Sequence, residues 1–287
     1  MRSMEIRPSP IAGHWYSGNS TALRAEIDTF LKRVKNHQLH GRIIGLFVPH
    51  AGYRYSGQTA AYAFKTIVGQ NYDMVILLSP YHAYHPAAIL SSSHHYYQTP
   101  LGNVAVNQIL VASLMERINI SPTMTMVSVA QDREHSLEIE LPFLQAVIEK
   151  PFEILPLMIR QIDPDQADFI AECIVNLSEQ KKVLVVVSTD LSHFYSQTEA
   201  EVLDREMLSQ IQSFSTKNVY QTELQGKGFA CGLGAVMVGM ALCKKLGADK
   251  IEILNHSTSG NETGDFSSVV GYGSGVFIKL APDVSEN

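Results

Sequence analysis

The chain has 287 residues, 45% hydrophobic and 17% charged, which suits a globular protein with a real core. Its 22 Lys and Arg stand against 28 Asp and Glu, a net charge of −6 that argues against nucleic acid as the main partner, since phosphate binding wants a basic face. No apolar run nears the roughly 20 residues of a membrane span, no secretory apolar core follows the start, and three cysteines stand in no framework spacing; the expectation is a cytoplasmic protein with no membrane partner.

Strand and helix patterns alternate along the whole chain, with no repeat, linker or low-complexity segment, which predicts one α/β domain over residues 1–287: a mostly buried central sheet flanked by helices. The first helix is expected over 23–34, capped by Ser20 or Thr21. Short apolar runs rich in β-branched residues predict buried strands at 42–49, 73–79, 152–158 and 183–188. Further strands are expected at 87–92, 123–129, 251–255 and 268–279, the last with Gly271, Gly273 and Gly275 marking a bulge or a close backbone contact. Helices are expected over 58–68, 108–118, 166–177, 199–211 and 232–246, where Gly247 is the stop. Pro142 sets the start of one more helix near Glu140, because proline is tolerated in a first turn.

The chemistry gathers where strands end. Pro49-His50-Ala51-Gly52 follows one predicted strand and Ser79-Pro80-Tyr81-His82 follows the next, so two imidazoles are expected on one rim of the sheet. Asp190 and His193 follow the strand 183–188 and address the same rim, where Asp190 is suited to orient His193 as a general acid or base. Cys231 lies in a Gly-rich stretch outside any periodic pattern and is expected to be the reactive thiol; Cys173 and Cys243 sit in helical patterns and read as core. In the charge-dense run 131–140, Glu134, His135, Glu138 and Glu140 are candidate ligands or acceptors that fix a His tautomer, and His135 and Glu138, three apart on one helical face, are the expected inward members. Trp15, Tyr16 and Tyr53 are candidate pocket walls, and residues 255–261 a further wall of the cleft. His94 and His95 read as a surface loop, and His37 and His40 as exposed linker residues.

Together these motifs resemble the Memo family (mediator of receptor-driven cell motility). The resemblance runs from Ala12-Gly13-His14-Trp15-Tyr16 through Pro49–Tyr53, Ser79–His82, Glu134–Glu138, Leu141-Pro142-Phe143, Asp190–His193 and Cys231-Gly232 to Val270-Gly271-Tyr272, nearly the whole chain. His14 departs from the Ser often found there. The resemblance implies a fold like that of the LigB-like class III extradiol dioxygenases, where two His and a carboxylate hold Fe(II) and another His is the acid/base. It assigns His50, His82 and Cys231 as metal ligands and His193 as the acid/base, with Asp190 beside it. A Cys in place of the carboxylate makes Cu or Zn candidates beside Fe(II). It further implies a peptide or small-molecule ligand and, in prokaryotes, AMMECR-type and radical-SAM partner proteins.

The expected function is thus a metal-dependent oxidoreductase, dioxygenase-like, of unnamed substrate. Two rivals remain at this level: a non-catalytic module that holds a peptide or small anion in the same cleft, and a hydrolase using Cys231 with His193 or the metal.

Overall fold

In a computed structural model of the protein, residues 5–35, 38–178 and 181–281 are described; His37 lies outside them. In chain order the elements are β1 (Ile6–Arg7), α1 (Ser20–Arg33), β2 (Arg42–Val48), α2 (Tyr53–Lys65), β3 (Met74–Pro80), β4 (Ile89–Ser92), β5 (Tyr96–Thr99), β6 (Gly102–Val106), α3 (Gln108–Ile118) and β7 (Met126–Val129). A 3-10 turn (Glu138–Glu140) then leads into α4 (Leu141–Val147), β8 (Glu153–Ile159), α5 (Pro164–Ser178), β9 (Val183–Ser188) and β10 (His193–Tyr195). The chain closes with α6 (Gln197–Gln212), α7 (Thr216–Leu224), α8 (Leu233–Lys245), β11 (Lys250–Thr258), α9 (Ser259–Thr263) and β12 (Val269–Lys279).

All twelve strands belong to one mixed sheet, whose main path is β1-β5-β6-β8-β3-β9-β2-β12-β10. Its centre, β8-β3-β9-β2, is parallel. β12 joins β2 antiparallel and also pairs antiparallel with β11 and, at its start, with β10. The central strands are buried along nearly their full length, as expected of parallel strands covered on both faces. Helices α3, α5 and α8 form one packed group and α1, α2 and α4 another. The predicted α/β class and its buried central sheet are therefore observed.

Helix α8 sits unusually close to the strands. A Cβ on Gly239 would collide with Val187, and one on Gly45 would lie 2.8 Å from Cys243 Sγ. Cys243 thus fills the helix–sheet seam, the core role its periodic context suggests. The expected Gly-marked close contacts in β12 are also present: Gly271 leaves room for the Asp204 carboxylate, and a Cβ on Gly275 would meet Glu252 O at 2.6 Å.

Several boundaries differ from expectation. Helix α1 is capped by Asn19, whose side chain accepts from Ala22 N, rather than by Ser20 or Thr21. Helix α2 starts at Tyr53, immediately after Gly52. Helix α4 starts where Pro142 predicts. Residues 96–106, where no element is expected from the sequence, form a hairpin of alternating exposed and buried residues. His94 is buried rather than on a surface loop, and its Nε2 accepts from Gln131 N at 3.1 Å. Among the described residues, no helix is long and apolar enough to cross a membrane.

Candidate metal centre

His50, His82 and Asp190 each lie two residues beyond the end of a central strand: β2, β3 and β9. These three strands are neighbours in parallel register, with Val48 opposite Ser188 and Leu78 opposite Val187. Parallel strands end together, so the three side chains leave one edge of the sheet, the edge where open α/β sheets bind ligands. The irregular segment between β7 and the 3-10 turn brings Glu134 and His135 to the same edge, and the turn before α8 brings Cys231.

One ligand-capable atom from each of His50, His82 and His135 lies within 4.8 Å of the others. The ring centroids are 5.3 Å apart for His50 and His82, 5.5 Å for His50 and His135, and 4.7 Å for His82 and His135, which stack. Two of the rings are hydrogen-bonded through Nδ1: His82 to Glu134 Oε1 at 2.9 Å and His50 to Ser188 Oγ at 3.0 Å, while His135 Nδ1 lies 3.4 Å from the same Glu134 oxygen. Nε2 is then the nitrogen of each ring left for a cation, that of His50 with Cys231 Sγ 3.2 Å away. Oxygen partners on the far nitrogen are what fix the tautomer of metal-binding histidines. The donor set therefore fits a transition-metal ion.

Glu134 is the hub of this arrangement. Besides the rings, it accepts the backbone N–H of His82, His135 and Ser136 at 2.7, 2.9 and 3.0 Å. Ser188 Oγ also lies 2.6 Å from Ser136 O and 2.8 Å from Glu140 Oε1. Burial holds the Glu140 carboxyl well above its usual range, against the Ser188 hydroxyl, which favours the carboxylate. Ser188 has one proton to give, shared between Ser136 O and Glu140 Oε1, and its oxygen can accept from His50 Nδ1–H.

The charge states suit cation uptake. Burial, with His135 and His82 nearby, pushes His50 well below 6.5. Burial above all brings His135 down to about 4. His82 goes the other way: burial lowers it, but the Glu134 carboxylate outweighs burial and raises it. Burial also opposes ionisation of Glu134, but His82 and the backbone donors overcome it and hold the carboxyl well below its usual range. Burial thus favours the neutral, lone-pair form of His50 and His135, while the Glu134 carboxylate favours the protonated form of His82, whose proton a cation would displace.

Cys231 Sγ lies 3.2 Å from His50 Nε2, accepts from Asp190 N at 3.2 Å, and is 3.6 Å from Thr189 Oγ1. Burial and the Asp190 carboxylate push its thiol pKa up, so the metal-free protein holds a protonated thiol rather than the reactive thiolate expected from the sequence. Asp190 is buried and accepts from His50 N at 2.8 Å; burial raises it to about 7 against the backbone donors of His50 and Ala51. It orients His50 and the Cys231 turn. The orienting group on His193 is instead Leu191 O, 2.9 Å from Nδ1. Burial lowers the His193 pKa, so Nε2 is available as a neutral base.

Cys231 touches the ring of His50, and His193 is occupied by Leu191, so the Cys–His hydrolytic pair has no contact to support it. Glu138 turns away from the imidazoles to Arg7, Ser9 and Tyr16. Its expected place beside His135 assumed a helix through 134–140, and that segment is an irregular stretch followed by a 3-10 turn. Tyr53, expected in the pocket, is buried against Phe30 and Phe143 and donates to Ile139 O at 2.9 Å. Trp15 does reach the site: its ring centroid is 4.2 Å from that of His135. His256 lies within β11 and pairs with Asp204 at 2.8 Å, so residues 255–261 supply no wall here.

Above the imidazoles opens a cleft of ≈ 530 Å³, lined by His50, His82, His135, Asp190 and His193 with Trp15, Arg54, Tyr55 and Tyr272 around them. A larger cleft of ≈ 900 Å³, with Tyr81, Arg160 and Tyr220 in its walls, reaches Cys231 from the other side. Tyr81 and His82 are adjacent in the chain yet face different clefts.

A family model described as Memo-like protein matches residues 7–276. A MEMO1 family protein of Nitrosopumilus maritimus is 32% identical over 280 residues, covering 95% of this chain and 100% of the relative. One from Thermoplasma volcanium is 33% identical over 270 residues, covering 94% and 97%. One from Aquifex aeolicus is 31% identical over 275 residues, covering 96% and 100%. The matched stretch takes in every strand end and loop that builds the imidazole cluster, and the chain belongs to the Memo-like protein family.

Proposed function

We propose that this chain binds a transition-metal ion at His50, His82 and His135 and uses the cleft above it to act on a small molecule or a peptide end. One observation carries the reading: three imidazoles from separate segments converge within 4.8 Å, two of them, His50 and His82, with the far nitrogen hydrogen-bonded to an oxygen. Three protein ligands beside an open cleft are the pattern of a working site rather than a closed structural one. Fe(II) is the first candidate, by the likeness to extradiol dioxygenases, with Cu and Zn next. A bound ion would supply Lewis acidity and, if redox-active, an electron-transfer centre. The chain's own residues do the rest. Trp15, Tyr55 and Tyr272 wall the cleft; His193 gives or takes a proton at Nε2.

A second ligand set is favoured by one contact, Cys231 Sγ against His50 Nε2 at 3.2 Å. There Cys231 replaces His135, and binding of the ion drives off the thiol proton. Anaerobic titration with Fe(II), Cu(I), Zn(II) and Co(II) tests both. One equivalent bound by the wild type and lost in His50→Ala supports a metal centre; no binding of any of the four removes it. A thiolate charge-transfer band in the Co(II) protein selects Cys231.

A further inference from the structure

We propose that Arg7 is the positioning residue of the metal centre: its guanidinium fixes the loop that presents Glu134 and His135 to the cluster. The proposal rests on the metal reading for its meaning, and its geometry stands on the polypeptide alone. Residues 132–135 have no regular secondary structure, so no ladder or helix turn fixes the backbone there. Something else must hold it, because a small displacement of His135 would open the imidazole cluster.

Arg7 comes from the far end of the sequence, 125 to 131 residues before its partners, and is 1% exposed. Nε and Nη2 fork onto Asp132, at 3.1 and 2.8 Å. Nη2 also donates to Glu134 O at 2.6 Å, and Nη1 to Glu138 Oε2 at 2.5 Å. The guanidinium lies over the Tyr97 ring, 4.7 Å from its centroid. One planar group therefore grips the loop before His135, at its side and after it. The other oxygen of Glu138 is taken by Tyr16 and Ser9, which ties the same turn to the Trp15 segment.

Burying a guanidinium with two carboxylates contributes little stability, since desolvation offsets most of the attraction. What such a cluster supplies is geometry. A guanidinium offers five N–H donors in a rigid fork, and four of the contacts above need donors at fixed angles. An ammonium group is a point charge and cannot meet them together. The carboxylate–His82–His135 hub is thus placed by Arg7 through the main chain of residue 134 and the side chains of 132 and 138.

Trp15, the single tryptophan, packs against His135 with ring centroids 4.2 Å apart and reports its place in the metal-free protein. The test is a double-mutant cycle of Arg7→Lys and His135→Ala, read by Trp15 emission without metal and by Co(II) affinity. Arg7→Lys should change Trp15 emission in the wild-type background and change it markedly less in the His135→Ala background, where only the Glu138–Tyr16 tie remains. In the folded protein it should weaken Co(II) about 10–100-fold, the usual cost of losing a group that orients a ligand. An emission change just as large without His135, or wild-type emission and affinity in folded Arg7→Lys, overturns the proposal. If wild type binds no metal, the emission cycle still decides it, so the two readings fail separately. If Arg7→Lys does not fold, Asp132→Asn enters the same cycle with the same expected outcomes.

Discussion

Glu134 holds His82 at two points. Its Oε1 lies 2.9 Å from the ring Nδ1, and its Oε2 accepts the backbone N–H of the same residue at 2.7 Å. One carboxylate thus fixes both the tautomer and the position of the imidazole. Every group aimed at it is a donor, including the N–H groups of His135 and Ser136. Glu134→Gln would turn an N–H₂ toward one of these donors and remove the charge that raises the His82 pKa. Metal affinity should fall about 10–100-fold. Competition with a chelator of known affinity measures it; wild-type affinity in the variant would contradict the role.

On the proposed metal reading, His135 and Cys231 are the two candidates for the third ligand, and their variants should separate. The geometric triad predicts that His135→Ala loses metal as completely as His50→Ala, while Cys231→Ala keeps most of it. In the metal-free protein the raised thiol pKa of Cys231 should also make its alkylation slow near neutral pH. Retention of metal by His135→Ala with loss in Cys231→Ala would hand the position to the thiolate.

Asp190 predicts how the metal-free protein responds to pH. Its folded pKa is raised to about 7, above the unfolded carboxylate range, chiefly by burial. The native state then binds the proton more tightly than the unfolded state. Its contribution is full below about pH 4 and is lost as pH rises through the folded value near 7, with a slope up to about 1.4 kcal/mol per pH unit. Asp190→Asn should flatten that slope. Urea unfolding at several pH values between about 5 and 8 checks it; an unchanged slope in the variant would assign the pH dependence elsewhere.

The strand-then-His pattern was legible because it is local. A buried parallel strand is an unbroken apolar run, and the residues just past its end must lie at the sheet's edge, so His50, His82 and Asp190 could be placed together from sequence. The features that were not legible depend on contacts across the chain. Glu134 rather than Glu138 holds the histidines because 132–135 is irregular, and a helical three-residue spacing has no meaning there. Arg7 gave no signal, since its partners lie more than a hundred residues away. Tyr53 was misplaced because α2 begins five residues earlier than its apolar periodicity suggests, which turns the ring into the core. The hairpin of 96–106 was missed because its strands are only four and five residues long, too short for their alternation to stand out.

His193 should prove separable from the metal. Its side chain lines the cleft but stands outside the set of imidazoles that converge within 4.8 Å. Leu191 O fixes Nδ1 as the donor, burial lowers the pKa, and Nε2 is left as the basic nitrogen facing the cleft. The backbone beneath it is pinned as well: Ser192 N donates to the buried Asp204 at 2.9 Å, and Asp204 in turn pairs with His256. A group held this firmly beside the cluster suits proton transfer to a ligand rather than ligation. His193→Ala should therefore bind metal with affinity close to wild type, and cost about 10²–10⁴-fold in turnover of any substrate found. The metal titration needs no substrate and can be done first. If His193→Ala loses the ion as fully as His50→Ala does, His193 is a ligand, and the division between imidazoles that hold the metal and an imidazole that moves protons is wrong.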